Sequence, residues 1–305
     1  MRIAVLIPCY NEELTIGKVV RDFREQLPDA DIYVYDNNSR DKTAEIAEAA
    51  GAIVRKEYRQ GKGNVVRSMF RDIDADVYVM IDGDDTYPAE FVHDLIRPIE
   101  RGEADMAIGD RHSDGSYESE NKRPFHNLGN QFVKGLINRL FRSRLRDIMT
   151  GYRVFTRRFA KTMPIKSEGF EIETEMTLHA LDKRFRIVEI PIRYRDRPPG
   201  SESKLNTISD GMRVLKTVFW IFKDYKPLAF FGTIALILFL AGLAVGIPVI
   251  TEFFATGRIA KMPSAILAVG LMVLATNAIT CGVILDTIVR NHRDNYELLQ
   301  NSYRD

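Results

Sequence analysis

Three acids, Asp82, Asp84 and Asp85, follow directly on the run Val77 to Ile81, and a single glycine separates the first two. Two carboxylates one residue apart on a turn can grip a hard divalent cation such as Mg2+ or Mn2+ and leave positions open for substrate phosphates. The competing reading is a polar turn, because Asp and Gly are ordinary loop residues. The element in front of the acids bears on the choice. Five apolar residues in a row, β-branched at alternate places, read as a strand buried on both faces, and such strands belong to parallel sheets flanked by helices. The acids then stand at the carboxyl end of a central strand, where open α/β sheets bind ligands. Gly83 lets the backbone turn sharply there.

The preceding chain supplies the elements such a strand needs. Arg2 to Pro8 reads as a strand and Asn11 to Val20 as a helix with Asn11 at its N-cap. Strand Ile32 to Tyr35, a turn over Asp36 to Asp41, helix Thr43 to Ala50 and strand Ala52 to Arg55 follow. Gly61, Lys62 and Gly63 open a helix to Ile73. This βαβ series predicts a mostly parallel sheet with right-handed crossovers. Beyond the acids, Ala89 to Arg101 reads as helix and Met106 to Gly109 as a strand running into Asp110 and Arg111. From Leu128 to Arg146 apolar residues recur at helical spacing between bases, which suits a helix in the lipid headgroup layer or one packed on the sheet with a solvated basic face. A helix from Phe170 to Asp182, a strand from Ile187 to Tyr194 and an extended loop from Arg195 to Lys204 complete the soluble part.

Composition divides the 305 residues. Leu228 to Ile250 and Ser264 to Leu285 contain no Asp, Glu, Lys or Arg, and about 22 residues of helix span ~33 Å, enough to cross a hydrocarbon core. The expected organisation is a soluble domain over 1–206, an amphipathic juxtamembrane helix over 207–226, a transmembrane hairpin over 227–285 with spans at 228–250 and 264–285, and a tail over 286–305. Lys223, Lys226, Arg290 and Arg293 flank the spans and put the large domain and the tail in the cytoplasm, although Arg258 and Lys261 between the spans weaken that argument. Arg2 to Pro8 is already a strand, so no secretory n-region is read at Met1. Cys9 and Cys281 are poorly placed to pair and read as buried thiols in a reducing compartment. A formal net charge of +1 gives no reason to expect nucleic acid as a partner.

Several separated motifs now meet a family in order: Ile7 to Glu12, Asp36 to Asp41, Gly61 to Gly63, Asp82 to Asp84, Asp147 to Arg153, and Arg197 to Lys204. The chain resembles the family 2 glycosyltransferases of the GT-A fold, and more narrowly the polyprenyl-phosphate glycosyltransferases that use dolichyl or undecaprenyl phosphate. The resemblance implies a Rossmann-like GT-A domain followed by two transmembrane helices. It implies Mg2+ or Mn2+ on Asp82 and Asp84, and a nucleotide-sugar against Pro8, Tyr10, Asn11, Glu12, Asp36, Gly61, Lys62, Asp82 and Gly83. It places Arg111, Arg123 and Asn127 near the lipid phosphate, Asp147 as a proposed catalytic carboxylate, and Arg197 and Lys204 on a loop that closes over the diphosphate. Many members carry a second Asp where Asn37 stands, so recognition of the base is open at that position. Members with a two-span tail tend to use UDP-sugars, which puts UDP-glucose or a UDP-N-acetylhexosamine ahead of GDP-mannose.

The residues themselves agree with this chemistry. A diphosphate leaving group gains charge as the glycosidic bond breaks, and a metal with cations such as Arg197 and Lys204 stabilises it. A phosphomonoester, with a second pKa of about 6, is mostly a dianion near pH 7 and needs little help from a base. Asp147 therefore has two readings, acceptance of the last proton or orientation of Arg153 or Arg123. The expected activity is transfer of the sugar, with inversion, to polyprenyl phosphate at the cytoplasmic membrane face. A processive polysaccharide synthase is an alternative that generally needs more spans, and a membrane scaffold with a nucleotide-sugar-binding module is the non-enzymatic one. Gly242, Gly246, Gly270 and Gly282 offer small contacts between the spans or between subunits, so a homo-oligomer is expected.

Overall fold

The computed structural model describes residues 1–113, 124–169, 171–198, 219–258 and 261–302. The chain divides into two compact units, Met1–Val214 with Gln300–Asp305, and Leu215–Leu299. In the first, strands β1 (Ile3–Cys9), β2 (Asp31–Asp36), β3 (Ile53–Lys56), β4 (Val77–Met80), β5 (Met106–Asp110), β6 (Arg153–Thr156) and β7 (Ile187–Pro191) form one sheet. Its order is β3-β2-β1-β4-β6-β5-β7. β6 runs against its neighbours β4 and β5, and the other pairings are parallel. The sheet is therefore mixed and mostly parallel. The carboxyl ends of β1, β2, β4, β5 and β7 consequently lie along one edge, together with the segment that leads into β6.

Helices α1 (Ile16–Gln26), α2 (Thr43–Ala49), α3 (Lys62–Asp72), α4 (Val92–Glu100), α5 (Pro124–Phe141), α6 (Arg157–Thr162) and α7 (Ile172–Asp182) accompany the sheet. α1 shows why they pack. Ile16, Val19, Val20 and Phe23 recur at helical spacing and are buried, so one apolar stripe faces the core and the polar residues face water. The helix stops at Leu27, because the following Pro28 pushes that residue out of the helical region, and Leu27 has φ −131° and ψ 73°. β1 and β4 are buried along almost their whole length, as the unbroken apolar runs predict.

Two expectations of the sequence fail here. Asn11 is no helix cap: Thr15 occupies the N-cap of α1. Asn11 instead takes a left-handed φ of 53°, a conformation asparagine tolerates better than most side chains, and its Oδ1 accepts from the Arg40 N–H at 2.8 Å. β6 was not anticipated either. It is four residues long and starts on an arginine, too short for an alternation to be legible.

The second unit contains α8 (219–225), α9 (Pro227–Thr256) and, up to Leu299, α10 (Met262–Ser302). α9 begins on Pro227 and ends on Gly257, whose φ of 68° forms a left-handed cap, in keeping with the preference for proline at helix starts and glycine just past their ends. Both long helices are apolar and long enough to cross a membrane. α10 runs on past Leu285 to Ser302, and an Asp286–Arg290 pair one turn apart at 3.3 Å supports the polar continuation. A Cβ on Gly242 would touch Leu271 and Met272 at 3.4 Å, one on Gly246 Ala268 at 3.3 Å, and one on Gly282 Phe231 at 3.0 Å. Small residues thus set the approach of α9 and α10, except Gly270, which faces open space. Of the expected juxtamembrane helix, residues 207–218 lie outside the described residues.

Candidate active site

The turn after β4 is fixed before its acids are used. A Cβ at Gly83 would come within 2.7 Å of Cys9 Sγ, so only glycine fits over the end of β1. The Gly83 carbonyl accepts from Thr15 Oγ1 at 2.7 Å, and Asp85, at a left-handed φ of 59°, pairs with Lys18 at 2.7 Å. Asp82 and Asp84 are left facing the sheet edge, each with a cation. Asp82 Oδ1 receives the Lys62 ammonium, which also lies 2.5 Å from Glu173 Oε1. Asp84 Oδ2 pairs with Arg197 Nη2 at 2.6 Å, while its Oδ1 accepts from Thr86 Oγ1 at 2.7 Å. Glu12 lies 3.8 Å from the same guanidinium.

Charge and burial oppose each other in this cluster. Burial, and next to it the neighbouring Asp82 charge, push the Asp84 carboxyl above the ordinary aspartate range despite Arg197. Burial likewise raises Glu173 against the opposing pull of Lys62. For Lys62 burial acts to lower the ammonium, but Asp82 and Glu173 outweigh it and hold it above the usual lysine range. Each acid next to an unneutralised acid is costly in a site of low dielectric.

Lys62 is aimed by its neighbours. A Cβ on Gly61 would fall 2.1 Å from the Glu168 carbonyl oxygen and one on Gly63 2.1 Å from that of Ser167. Gly61 also takes a φ of 127°, so the backbone of 167–168 can lie against this loop only because both residues lack side chains. Glu175 holds that backbone, accepting from the Lys166 and Ser167 N–H groups at 2.9 and 2.8 Å. From the other side, Asn37 donates to the carbonyls of Glu57 and Arg59 at 2.9 and 2.8 Å and accepts from the Gly61 N–H at 2.7 Å.

A second charged group lies further along the edge. Arg111 and Asp147 form a two-pronged pair, Nε to Oδ2 at 2.6 Å and Nη2 to Oδ1 at 2.9 Å. Burial acts to raise the Asp147 carboxyl, but the guanidinium outweighs it and holds it below the ordinary aspartate range. The Glu189 carboxylate accepts from the Arg146 and Asp147 N–H groups at 2.7 and 2.8 Å and fixes the segment entering β6. Tyr87 joins the two groups. Its hydroxyl accepts from the Gly151 N–H at 3.2 Å and from Arg111 Nη1 at 3.4 Å, and burial pushes it up to about 12. Gly151 in turn packs on the first acid, since a Cβ there would meet Asp82 Oδ2 at 2.2 Å.

Of the residues singled out in the sequence, the structure pairs Lys62 with Asp82, and Arg197 with Asp84 and Glu12. Pro8, Tyr10, Asn11 and Asp36 lie on the same edge at the ends of β1 and β2, with Asp36 buried and accepting from the Ser39 N–H at 3.2 Å. Arg123 and Lys204 lie outside the described residues, as does the side chain of Asn127. Of the two arginines read as partners of Asp147, Arg153 is not one. The carboxylate grips Arg111, and Arg153, buried among β strands, donates to the carbonyls of Ile148 and Thr150 and to Thr177 Oγ1. Reading the sequence missed Tyr87, Gly151 and Asn37 as positioning groups. In the sequence Glu171, Glu173 and Glu175 are alternate acids at a helix start, where acids suit the dipole, and nothing there says which of them faces the site. In the structure Glu173 faces Lys62 and Glu175 braces a loop.

The acid pair fits a divalent cation. Its donors are hard oxygens, and an incoming positive charge would relieve the repulsion that raises Asp84. Among the described residues no three or more His, Cys, Asp or Glu side chains cluster so as to hold a metal on their own, so phosphate or water oxygens would complete the coordination.

Comparison with known proteins follows the same lines. A profile of the family described as Glycosyl transferase family 2 matches residues 4–163. Glycosyltransferase AglJ of Haloferax volcanii is 32% identical over 302 residues, covering 98% of this chain and 97% of that protein. The dolichyl-phosphate hexose transferase of the same organism is 31% identical over 218 residues, which cover 71% of this chain and 92% of its own. Among solved structures, glucosyl-3-phosphoglycerate synthase of Mycobacterium tuberculosis in complex with Mn2+, UDP and glucosyl-3-phosphoglycerate gives a TM-score of 0.57 at 21% identity, over 73% of this chain and 79% of that one. That likeness establishes the fold, which is of the GT-A type.

Proposed function

The chain belongs to glycosyltransferase family 2, and from that membership we propose that it transfers a hexose from a nucleotide-sugar to polyprenyl phosphate, undecaprenyl or dolichyl, with inversion. The observation that carries the reading is the acid pair at the end of β4, each carboxylate holding a cation, in a chain that continues into two helices of membrane-spanning length. The dolichyl-phosphate hexose transferase similar to it supports the acceptor class.

Asp82 and Asp84 would hold Mg2+ or Mn2+, which when bound neutralises the donor diphosphate. The remaining work falls to the chain. Lys62 and Arg197 lie beside the acid pair and stabilise charge gathering on the leaving diphosphate. Arg111, fixed by Asp147 and Tyr87, takes the acceptor phosphate, whose oxygens match a guanidinium. An oxygen of that phosphate, already a dianion near pH 7, attacks C1 of the sugar. The bond from C1 to the diphosphate oxygen breaks, the nucleoside diphosphate leaves with the electron pair, and the configuration at C1 inverts. No proton has to be removed, which agrees with an Asp147 spent on Arg111.

In this reading residues 227–285 form a transmembrane hairpin, 207–226 lies against the headgroups, and the catalytic unit, 1–206, and the tail, 286–305, are cytoplasmic. A UDP-sugar, UDP-glucose or a UDP-N-acetylhexosamine, is the favoured donor, and the membrane helices favour a homo-oligomer. The test is incubation of membranes containing the protein with polyprenyl phosphate and radiolabelled UDP- and GDP-sugars. A metal-dependent, alkali-stable or acid-labile glycolipid is expected, and absence of any such product with every donor would defeat the proposal.

A further inference from the structure

Glu173 is a buried carboxylate that neither metal binding nor phosphate binding accounts for. It stands in the first turn of α7, its side chain is 6% exposed, and its charged partner is Lys62, itself 10% exposed, at 2.5 Å. A carboxylate in such a place is kept only if its charge is matched, yet here two acids share one ammonium. In the same turn as Asp82, Asp84 pairs with Arg197, which also lies 3.8 Å from Glu12.

The sharing has a consequence for Lys62. Lysine is a point charge on a flexible four-carbon stem, and a metal on Asp82 would remove one of the two anions that hold it. Glu173 lies outside the acid turn and stays. We propose that Glu173 is a positioning residue, which retains the Lys62 ammonium beside the acidic turn once Asp82 has passed to the metal and so leaves an N–H of Lys62 for a donor diphosphate oxygen. The inference rests on the nucleotide-sugar reading above and adds to it a residue that acts only through Lys62. Gly61, Gly63 and Asn37 set the backbone of Lys62, and Glu173 sets the end of its side chain.

A double-mutant cycle on the full-length protein tests this, with calorimetric titration of UDP and of GDP in Mn2+ and the tighter of the two carried through the variants. Lys62→Met is expected to weaken nucleoside diphosphate binding about 30-fold and Glu173→Gln about tenfold, the scale of a lost charge-assisted contact and of lost preorganisation. K62M/E173Q is expected to bind no more weakly than K62M. Glu173→Asp, which keeps the charge one methylene further back, is expected to lose about threefold, again with no further loss on the K62M background. Thermal melts establish that each variant is folded. Wild-type affinity in both Glu173 variants, or losses that multiply in the double variant, would overturn the positioning role while leaving the donor site intact. If neither UDP nor GDP bound the wild type in Mn2+, the donor reading itself would fail.

Discussion

The two charged groups on the sheet edge are built on different ratios. Beside the acid pair Asp82 and Glu173 share the single Lys62 ammonium, and burial, with the nearby Asp82 charge, raises Asp84 and Glu173. Around Asp147 a single acid takes a single arginine through two bonds, and the acid is held low. In the first arrangement another positive charge would relieve repulsion between acids. The second is closed, and its product is a guanidinium of fixed direction. A metal-assisted departure of diphosphate needs the former, and capture of a phosphate that is already ionised needs only the latter.

The largest effect should come from removing charge where there is an excess. Asp82→Asn and Asp84→Asn are each expected to lower turnover about 10^3-fold while the melting temperature holds or rises, because each relieves repulsion between the half-buried Asp82 and the buried Asp84. A radiolabelled transfer assay beside a thermal melt checks both, and a fall in stability to match the fall in rate would show that the acids are structural. Asp147→Asn should invert that pattern. Breaking a buried pair leaves Arg111 uncompensated, and about 3 kcal/mol of stability should go with it. The pH dependence has a fixed sign. Because Asp147 is held below its unfolded value of about 3.9, its contribution is present above that pH and is lost as pH falls through the folded value. The gap between wild type and D147N in denaturant melts should therefore narrow below about pH 4. A D147N variant of wild-type stability with kcat lost and acceptor KM unchanged would restore the catalytic base.

Why the first group was legible in the sequence and the second was not follows from how each is assembled. Asp82 and Asp84 adjoin a strand whose five apolar residues announce burial, so local pattern alone places them at a sheet edge. The parallel order of β1 to β4 follows from the same alternation of strand and helix. Asp147 and Arg111 are 36 residues apart, and what joins them is β6, which enters the sheet backwards between β4 and β5. A four-residue strand carries too little periodicity to reveal that insertion, so the pairing of Asp147 with Arg111 rather than Arg153 was hidden. Asn37 and Gly151 were hidden for a related reason. Their roles depend on backbone that arrives from 20 residues away in one case and on the closeness of Asp82 in the other.

Gly151 sharpens the contrast because it touches both groups. A methyl there would sit 2.2 Å from Asp82 Oδ2, and the Gly151 N–H bonds the tyrosine that contacts Arg111. Gly151→Ala is expected to displace the carboxylate and lower kcat about 10^2-fold, the cost of a reacting group misplaced by about 1 Å. Titration of Mn2+ by its electron spin resonance should show weakened metal binding. Unchanged metal binding with a raised acceptor KM would assign the glycine to the acceptor side instead.

The smallest effect is expected at Asn37. The side-chain amide uses its whole hydrogen-bonding capacity, giving two N–H bonds to the carbonyls of Glu57 and Arg59 and accepting from Gln60 and Gly61. Asn37→Asp keeps the acceptors and sets a carboxylate oxygen against two carbonyl oxygens. A buried group deprived of its partners costs about 1–3 kcal/mol, and part of that strain should relax by movement of the loop that carries Lys62. Nucleoside diphosphate binding in Mn2+ should then weaken by about three- to tenfold, since Lys62 keeps its charge and loses only its aim. Acceptor KM should stay as it is, because no contact of Asn37 reaches Arg111 or Asp147. A variant that bound the donor normally but the acceptor poorly would mean that the two groups are not separable, and the difference in their charge ratios would then have to be explained by folding alone.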